Sequence, residues 1–314
     1  MDCCLDVQKE AITTAPEASI GLASQKWITI ACKSHELASR DGRTKRRRPQ
    51  KRKWKRNKDN GNKDITFRCG TINIATYKNK ENEILDLMER RKIDIIGIAE
   101  TRHRGKEKSI DLGGGFVLMY SGTDVGRRNY GVAMIVGPRL SPHIQEVSLI
   151  SERLMKCILN IQNKKYHIYQ VYAPQQGHTT EEKESFYRLL EDCYHIQDSE
   201  IGLMMEDFNG RIGSDRVGTE KVMGPFGEEH RNPEGERLID FCIMNNLKIM
   251  NGFFQHQSSH RYTRYRWNQN SAKFDQMSII DYFICSDKRE ILNVKAFPGE
   301  TLDSDHRLLV ADIA

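Results

Sequence analysis

The chain has 314 residues, of which 38% are hydrophobic and 29% charged, and its formal net charge is +6. This length and composition are typical of one large globular domain with an appendage, and they exclude a helical membrane protein because no run of about 18 apolar residues occurs. The first ten residues, MDCCLDVQKE, contain acids where a secretory signal carries positive charge, so we expect no secretory signal.

The positive charge is concentrated near the N-terminus. Eleven lysines and arginines and no acid lie between Arg43 and Lys58, so the rest of the chain has a net charge of −5, the difference between +6 and +11. Residues 1–63 have little apolar periodicity, which predicts a disordered arm. The basic cluster at 43–58 is typical of nuclear-localisation signals and of segments that bind phosphate backbones. We therefore expect a nuclear protein that contacts DNA through Arg46, Arg47, Lys51 and Arg52; a solubilising tail is the alternative.

Short apolar runs bounded by turns begin at Ile65 and predict β-strands. In chain order the predicted strands are TFRCGTINI, DIIGIAE, GVAMIVG, KCILNIQ, YHIYQVYA, IGLMMEDFN, LKIMNG, IIDYFICS and RLLVADI. Many strands with few helices between them predict two packed sheets flanked by helices. We therefore expect one α/β sandwich domain over residues 64–314.

Three segments have the apolar spacing of amphipathic helices. The first covers about residues 82–91. The second begins at Thr179, which stands three residues before Glu182 in a capping-box pattern. The third follows Pro233, a residue favoured in the first helical turn. The predicted inner faces are, in turn, Ile84, Leu87 and Met88; Phe186, Leu189, Leu190 and Cys193; and Leu238, Phe241 and Cys242.

Polar side chains gather at the ends of the predicted strands, where a rigid scaffold can hold a site open to substrate. Glu100 and Asp305 are candidate ligands for Mg²⁺, which prefers carboxylate oxygens. His306 could move a proton or stabilise phosphate charge, and Asp281 behind it would fix its tautomer and raise its pKa. A single Asp or Asn at a strand end is more often a cap or a turn residue than a catalytic one. Neutral groups able to hold phosphate oxygens are Asn73, Tyr172 and Asn209.

In their order and spacing, GTINI, GIAETRH, QVYAP, EDFNGRIG, IDYFICS and SDHRLLVADI resemble the endonuclease/exonuclease/phosphatase superfamily over roughly residues 66–314. The resemblance implies a four-layered α/β sandwich with one hydrolytic site at its mouth. It implies a divalent metal ion, Mg²⁺ or Mn²⁺, bound by Glu100, Asp305 and Asn73. The catalytic residues that it implies are His306, Asp207, Asn209, Tyr172 and Asp281, with Asp207 or His306 as the general base.

The tract GERLIDFCIMNNLKIMNGFFQH, followed by RYTRYRW, more specifically resembles the endonuclease domain of non-LTR retrotransposons and its craniofacial development protein 2-like group. That resemblance implies an endonuclease that nicks DNA and leaves 3′-OH and 5′-phosphate ends; we expect no reverse transcriptase domain in this chain. Relatives carry a DNA-facing hairpin in this region, and aromatic residues interleave with basic ones here. Candidate DNA contacts are Arg264, Tyr265, Arg266 and Trp267, unless this is merely an exposed strand.

Three positions depart from the superfamily pattern: Ile72 replaces a Trp, Ala75 replaces an acid, and Glu206 replaces the Gly before Asp207. A negative charge from Glu206 at a phosphate site would repel substrate or supply a stray metal ligand. It favours the alternative hypothesis, a catalytically inactive remnant of a retrotransposon endonuclease that binds DNA or chromatin. The presence of every motif residue favours the enzyme.

Overall fold

The structure is a computed structural model that describes residues 65–103, 108–122, 130–268 and 273–314. The predicted arm, with the candidate DNA contacts Arg46, Arg47, Lys51 and Arg52, lies outside the described residues. The described α-helices are α1 (Glu81–Arg91), α2 (Thr180–Cys193) and α3 (Pro233–Met244). The strands are β1 (Phe67–Asn73), β2 (Ile95–Ala99), β3 (Lys108–Gly113), β4 (Phe116–Ser121), β5 (Val132–Val136), β6 (Ile144–Ser151), β7 (Leu154–Ile161), β8 (Lys164–Tyr172), β9 (Ile201–Asp207), β10 (Lys248–Ile249), β11 (Arg264–Asn268), β12 (Lys273–Ser278), β13 (Asp281–Cys285), β14 (Ile291–Phe297) and β15 (Leu308–Ile313).

Two large mixed sheets form the centre of the fold. The first has seven strands in the order β14-β15-β1-β2-β5-β4-β3, and the second has six in the order β10-β13-β9-β8-β7-β6. Strands β2, β5 and β13 are buried along their whole length, which explains their nearly continuous apolar sequences. A separate hairpin pairs β11 with β12.

Three apolar clusters separate the layers. The cluster between the two sheets includes Met134 of the first sheet and Ile168 of the second. A second packs α1 against the outer face of the first sheet, and a third packs α2 and α3 against the outer face of the second. At Gly97 the sheets approach so closely that an added Cβ would lie 1.6 Å from the side chain of Gln170. The arrangement helix, sheet, sheet, helix is the predicted four-layered α/β sandwich.

The three predicted helices form, and their predicted faces are buried or partly buried. Helix α2 begins with the predicted capping box: the Glu182 backbone N–H donates to the Thr179 hydroxyl, and the Glu182 carboxylate accepts from the Thr179 N–H. At α3 the Asn232 side chain accepts from the Gly235 N–H, and Pro233 occupies the first turn. No helix of the described residues is long and apolar enough to cross a bilayer.

All nine predicted strand segments contain a strand, although LKIMNG forms only the two residues of β10 before a 3₁₀ turn at Met250–Phe253. The structure adds β3, β4, β6 and β14, which were not among the predicted strands, and the RYTRYRW tract forms β11 with β12 as its partner.

Candidate active site

Strand ends from both sheets meet at one edge of the sandwich. In the first sheet β1 and β2 run parallel, and Asn73 pairs with Ala99, the residue before Glu100. In the second sheet β8 and β9 run parallel, and Tyr172 pairs with Asp207. Because parallel strands end at the same edge, the two sheets bring these four polar side chains together.

The antiparallel strand β13 adds Asp281, which pairs with Asp207 across the ladder. His306 lies just before β15, and its Nδ1 is 3.0 and 3.1 Å from the two carboxylate oxygens of Asp281. Its Nε2 is 3.8 Å from Oδ2 of Asp207. All three side chains are at least nine-tenths buried. Asp281 thus holds the ring so that Nε2 points toward Asp207.

The pKa values of His306 and Asp207 are both raised, and in each residue burial and the charge of the partner have opposite effects. Burial lowers the pKa of His306, but the carboxylates of Asp281, Asp207 and Asp305 outweigh it and raise that pKa to about 10. Burial also raises the pKa of Asp207 to about 7, against the attraction of His306. The site therefore favours a cationic imidazole beside a carboxyl group whose pKa burial raises above that of an ordinary aspartate.

Asn73 connects the acids of the two sheets. Its Nδ2 donates to Glu100 Oε1 at 3.0 Å and to Asp207 Oδ2 at 3.2 Å. Its Oδ1 accepts from the backbone N–H of Ala75. The Tyr172 hydroxyl donates to the same Glu100 oxygen at 2.8 Å. Glu100 is thereby fixed by two neutral donors, and burial is the main cause that raises the pKa of Tyr172, so this hydroxyl stays protonated.

Asn209 is fixed by a tight turn after β9. Its φ of 51° is in the left-handed region, which Asn tolerates better than most residues. Its N–H donates to Asp207 Oδ1 at 2.8 Å, and its side-chain amide donates to the Ala173 carbonyl at 2.9 Å. Asp207 therefore has both carboxylate oxygens engaged, one by Asn209 and one by Asn73.

Two arginines lie at the opening of the site. Arg264 Nε donates to Asp305 Oδ2 at 2.7 Å, and both side chains are more than two-fifths exposed. Arg102 lies 3.4 Å from Glu100 Oε2 and is 42% exposed. Each of the two acids predicted as metal ligands thus has one arginine beside it.

Carboxylates at this opening and behind it are groups that could hold a divalent cation. Asp207, Asp281 and His306 offer ligand atoms that all lie within 4.8 Å of one another, but a protonated imidazole has no lone pair for a metal. The carboxylates of Glu100 and Asp305 each accept a hydrogen bond from an arginine guanidinium. Hard cations prefer such carboxylate oxygens as ligands. Asn73 turns its amide nitrogen toward the acids, so its role as a ligand stays a prediction.

Further residues support the site without having been predicted. Arg153 lies over the Tyr172 ring at 5.0 Å and donates to the Tyr172 carbonyl, and Gln175 donates to the Tyr172 hydroxyl at 3.0 Å. The Asn251 amide donates to the Asp281 carbonyl, while the Thr263 hydroxyl accepts from the Asp281 N–H. Gln175 follows the QVYAP motif and could have been suspected. The others are far from their partners in sequence and give no such signal.

The predicted DNA contacts on β11 lie beside the site. Arg264 forms an antiparallel bridge with His306, Tyr265 is buried, and Arg266 is exposed. Trp267 belongs to β11, opposite Phe274. Glu206 lies within β9 and pairs with Tyr282 and Val171.

Comparison with known proteins gives relatives for most of the chain. It is 32% identical over 252 residues to craniofacial development protein 2 of Tragulus javanicus, a match that covers 77% of this chain and 41% of the relative. A second match, to craniofacial development protein 2 of Bos taurus, covers 40% of that protein, so the chain spans about two fifths of the length of these curated relatives. No family model matches the chain.

Solved structures share the fold at low sequence identity. The endonuclease domain of TRAS1, a telomere-specific non-LTR retrotransposon, matches with a TM-score of 0.55 and 18% identity over 79% of this chain and 98% of its own. The APE2 catalytic domain of Xenopus laevis matches with a TM-score of 0.57 and 16% identity over 79% and 93%. The chain is therefore a sequence relative of craniofacial development protein 2 with the endonuclease/exonuclease/phosphatase fold.

Proposed function

We propose that this protein is a metal-dependent phosphodiesterase that nicks DNA and leaves 3′-OH and 5′-phosphate ends. The observation that carries the proposal is the buried pair of His306 and Asp281. Asp281 holds Nδ1 of the ring, and the other ring nitrogen, Nε2, faces Asp207 beside Glu100. The cationic His306 and the Asp207 carboxyl group, whose pKa is raised, lie next to each other, and such a pair suits hydrolysis of a charged ester.

In this mechanism His306 Nε2 donates a hydrogen bond to a non-bridging phosphate oxygen and stabilises the negative charge of the transition state. Asp281 keeps the imidazole oriented and charged. Asp207 accepts a proton from the attacking water, which its raised pKa favours, and Asn209 holds the Asp207 carboxylate in place.

Glu100 and Asp305 are the residues that would bind the metal, Mg²⁺ or Mn²⁺, and this ion would supply Lewis-acid stabilisation of the leaving 3′ oxygen. Tyr172 and Asn73 hold Glu100 in position through its Oε1 atom. Their hydrogen bonds use Oε1, whereas the other oxygen, Oε2, accepts from the exposed Arg102.

DNA is the proposed substrate because basic residues surround the opening. Arg264 and Arg266 lie on a hairpin bonded to the His306 loop, and the cluster at 43–58 contains eleven further basic residues. The TRAS1 neighbour is itself an endonuclease domain. We propose a nuclear location on the strength of the basic cluster.

The test is the chemistry of the ends. Supercoiled plasmid is incubated with the full chain in Mg²⁺, and the nicked product is offered to a DNA polymerase and to a DNA ligase. Extension without prior phosphatase treatment, together with direct resealing, is expected because these enzymes need 3′-OH and 5′-phosphate ends. Nicks that neither enzyme accepts would contradict the proposed products, and Glu100→Gln, which should not nick, is the control for a contaminating nuclease.

A further inference from the structure

The hairpin residue Arg264 is held against the catalytic histidine by backbone hydrogen bonds. The Tyr265 N–H donates to the Asp305 carbonyl at 2.8 Å, and the Arg307 N–H donates to the Thr263 carbonyl at 2.7 Å. These bonds flank the bridge between Arg264 and His306. The start of β11 and the His306 loop therefore form one backbone unit, which fixes where the Arg264 side chain begins.

The Arg264 side chain ends at the opening of the site. Its Nε donates to Asp305 Oδ2, while the other Asp305 oxygen, Oδ1, is 3.9 Å from His306 Nε2. At 43% exposure, the Arg264 guanidinium is accessible to a ligand. The Asp305 carboxylate thus lies between the Arg264 guanidinium and His306 Nε2, the ring nitrogen that faces the proposed phosphate position.

The charge balance explains why an arginine is held there. With Asp207 ionised, the described side chains of the site contribute four carboxylates, Glu100, Asp207, Asp281 and Asp305, and three cations, His306, Arg102 and Arg264. The excess of one negative charge opposes a phosphate, whereas a divalent cation would change the excess to one positive charge. A cation at Asp305 would also remove the charge that attracts Arg264. Guanidinium groups bind phosphates well because their planar N–H groups match phosphate oxygens.

We propose that Arg264 exchanges one anionic partner for another. In the metal-free site it pairs with Asp305, and once a divalent cation neutralises that carboxylate it binds a substrate phosphate. The inference rests on the proposed function and makes metal binding and DNA binding mutually favourable. By linkage, the factor by which metal strengthens DNA binding equals the factor by which DNA strengthens metal binding. Arg264→Gln should reduce this factor.

The first experiment measures metal affinity without DNA. Mn²⁺ is titrated into the full chain and followed by electron paramagnetic resonance for the wild type, Arg264→Gln and the matched variant Arg266→Gln, which removes the same charge two residues along β11. Arg264→Gln should bind Mn²⁺ several-fold more tightly because the competing cation is gone, while Arg266→Gln should change little. Weaker Mn²⁺ binding by Arg264→Gln would show that the arginine only positions Asp305 and would overturn the proposal.

The second experiment measures DNA affinity without cleavage. Fluorescence anisotropy of a labelled duplex is recorded in Mg²⁺ and in EDTA, in a His306→Asn background whose amide can still donate to Asp281. Moderately high salt limits the contribution of the arm. Arg264→Gln should weaken DNA binding about tenfold in Mg²⁺, which is the loss of one charge-assisted hydrogen bond to phosphate. In EDTA, where Arg264 is paired with Asp305, the loss should be only about twofold. Arg266→Gln should weaken binding equally in both.

An equal loss for Arg264→Gln in Mg²⁺ and EDTA would overturn the exchange, because Arg264 would then be a general phosphate contact. Neither experiment depends on turnover. A wild-type chain that fails to nick DNA would therefore defeat the proposed function while these binding results still decide the role of Arg264. A melting curve of each variant confirms that the comparison is made between folded proteins.

Discussion

At the scale of single residues, the site concentrates charge where burial penalises it. Asp207 and Asp281 are each 1% exposed and His306 is 4% exposed. One cationic imidazole between two carboxylates compensates part of the desolvation cost, and the amide of Asn73 and the N–H of Asn209 stabilise the rest of the Asp207 charge. Such a group is expected to reduce stability in exchange for function.

Asp207→Asn should make that cost visible as a pH-dependent change in stability. The pKa of Asp207 is about 7 in the fold, against an ordinary value of 3.8, so the folded state binds more protons than the unfolded state between these values. The contribution of Asp207 to the free energy of unfolding therefore falls as pH rises from about 4 to 7, by at most about 4 kcal/mol. In EDTA, the melting temperature of Asp207→Asn relative to that of the wild type should rise between pH 5 and pH 8. A wild type that gains on the variant over this range would contradict the raised pKa.

Tyr172→Phe should separate catalysis from stability. The Tyr172 hydroxyl bonds Glu100 and Gln175, so its removal should lower nicking about tenfold, the equivalent of one hydrogen bond to a charged group. The matched control is Tyr169→Phe on the same strand, whose hydroxyl donates to the Cys193 carbonyl away from the site. Nicking rates and urea unfolding are measured for both. Equal loss of activity in the two variants would rule out a special role for Tyr172.

At the scale of secondary structure, the capping box of α2 stabilises the fold without entering the site. Thr179→Ala removes the hydroxyl that accepts from Glu182 and should cost about 1 kcal/mol of unfolding free energy. Thr180→Ala, one residue further along, is the matched control and should cost less. Chemical denaturation measures both. A Thr179→Ala change as small as that of Thr180→Ala would show that the cap contributes nothing.

Sequence patterns predicted the central elements because those elements are either buried throughout or amphipathic. Strands β2, β5 and β13 have nearly continuous apolar runs, and the capping box of α2 and Pro233 of α3 mark the helix starts. The edge strand β3 and the partly exposed β6 and β14 have mixed sequences whose pairing depends on distant neighbours. Strand β4, FVLMYS, satisfies the same apolar criterion and could have been predicted.

At the scale of the whole molecule, the position of the site follows from two sheets whose strands end at one edge. Strand-end residues such as Glu100 and Tyr172 could be selected from the sequence because each closes an apolar run. The contacts of Arg153 with Tyr172 and of Arg264 with Asp305 could not be predicted, since they join segments that only the packed fold brings together.

Replacing the four predicted arm contacts with glutamine should alter affinity for DNA and leave turnover on bound substrate intact. Counterion release predicts that each lost phosphate contact reduces the slope of log affinity against log salt by about 0.9. The quadruple variant of Arg46, Arg47, Lys51 and Arg52 should therefore show a slope shallower by up to about 3.6. Filter binding across a salt series measures it, and an unchanged slope would show that these residues do not contact DNA. A fluorescent fusion of the same variant should lose nuclear accumulation.

The proposed function requires the His306 site to hydrolyse phosphodiester bonds in DNA. The most direct measurement is conversion of supercoiled plasmid to the open circular form by the full chain, in Mg²⁺, in Mn²⁺ and in EDTA, beside His306→Asn and Glu100→Gln. We predict nicking with either metal, none in EDTA, and a loss of at least about a hundredfold in both variants. A folded wild type that leaves the plasmid supercoiled with both metals, or variants that nick as fast as the wild type, would contradict it.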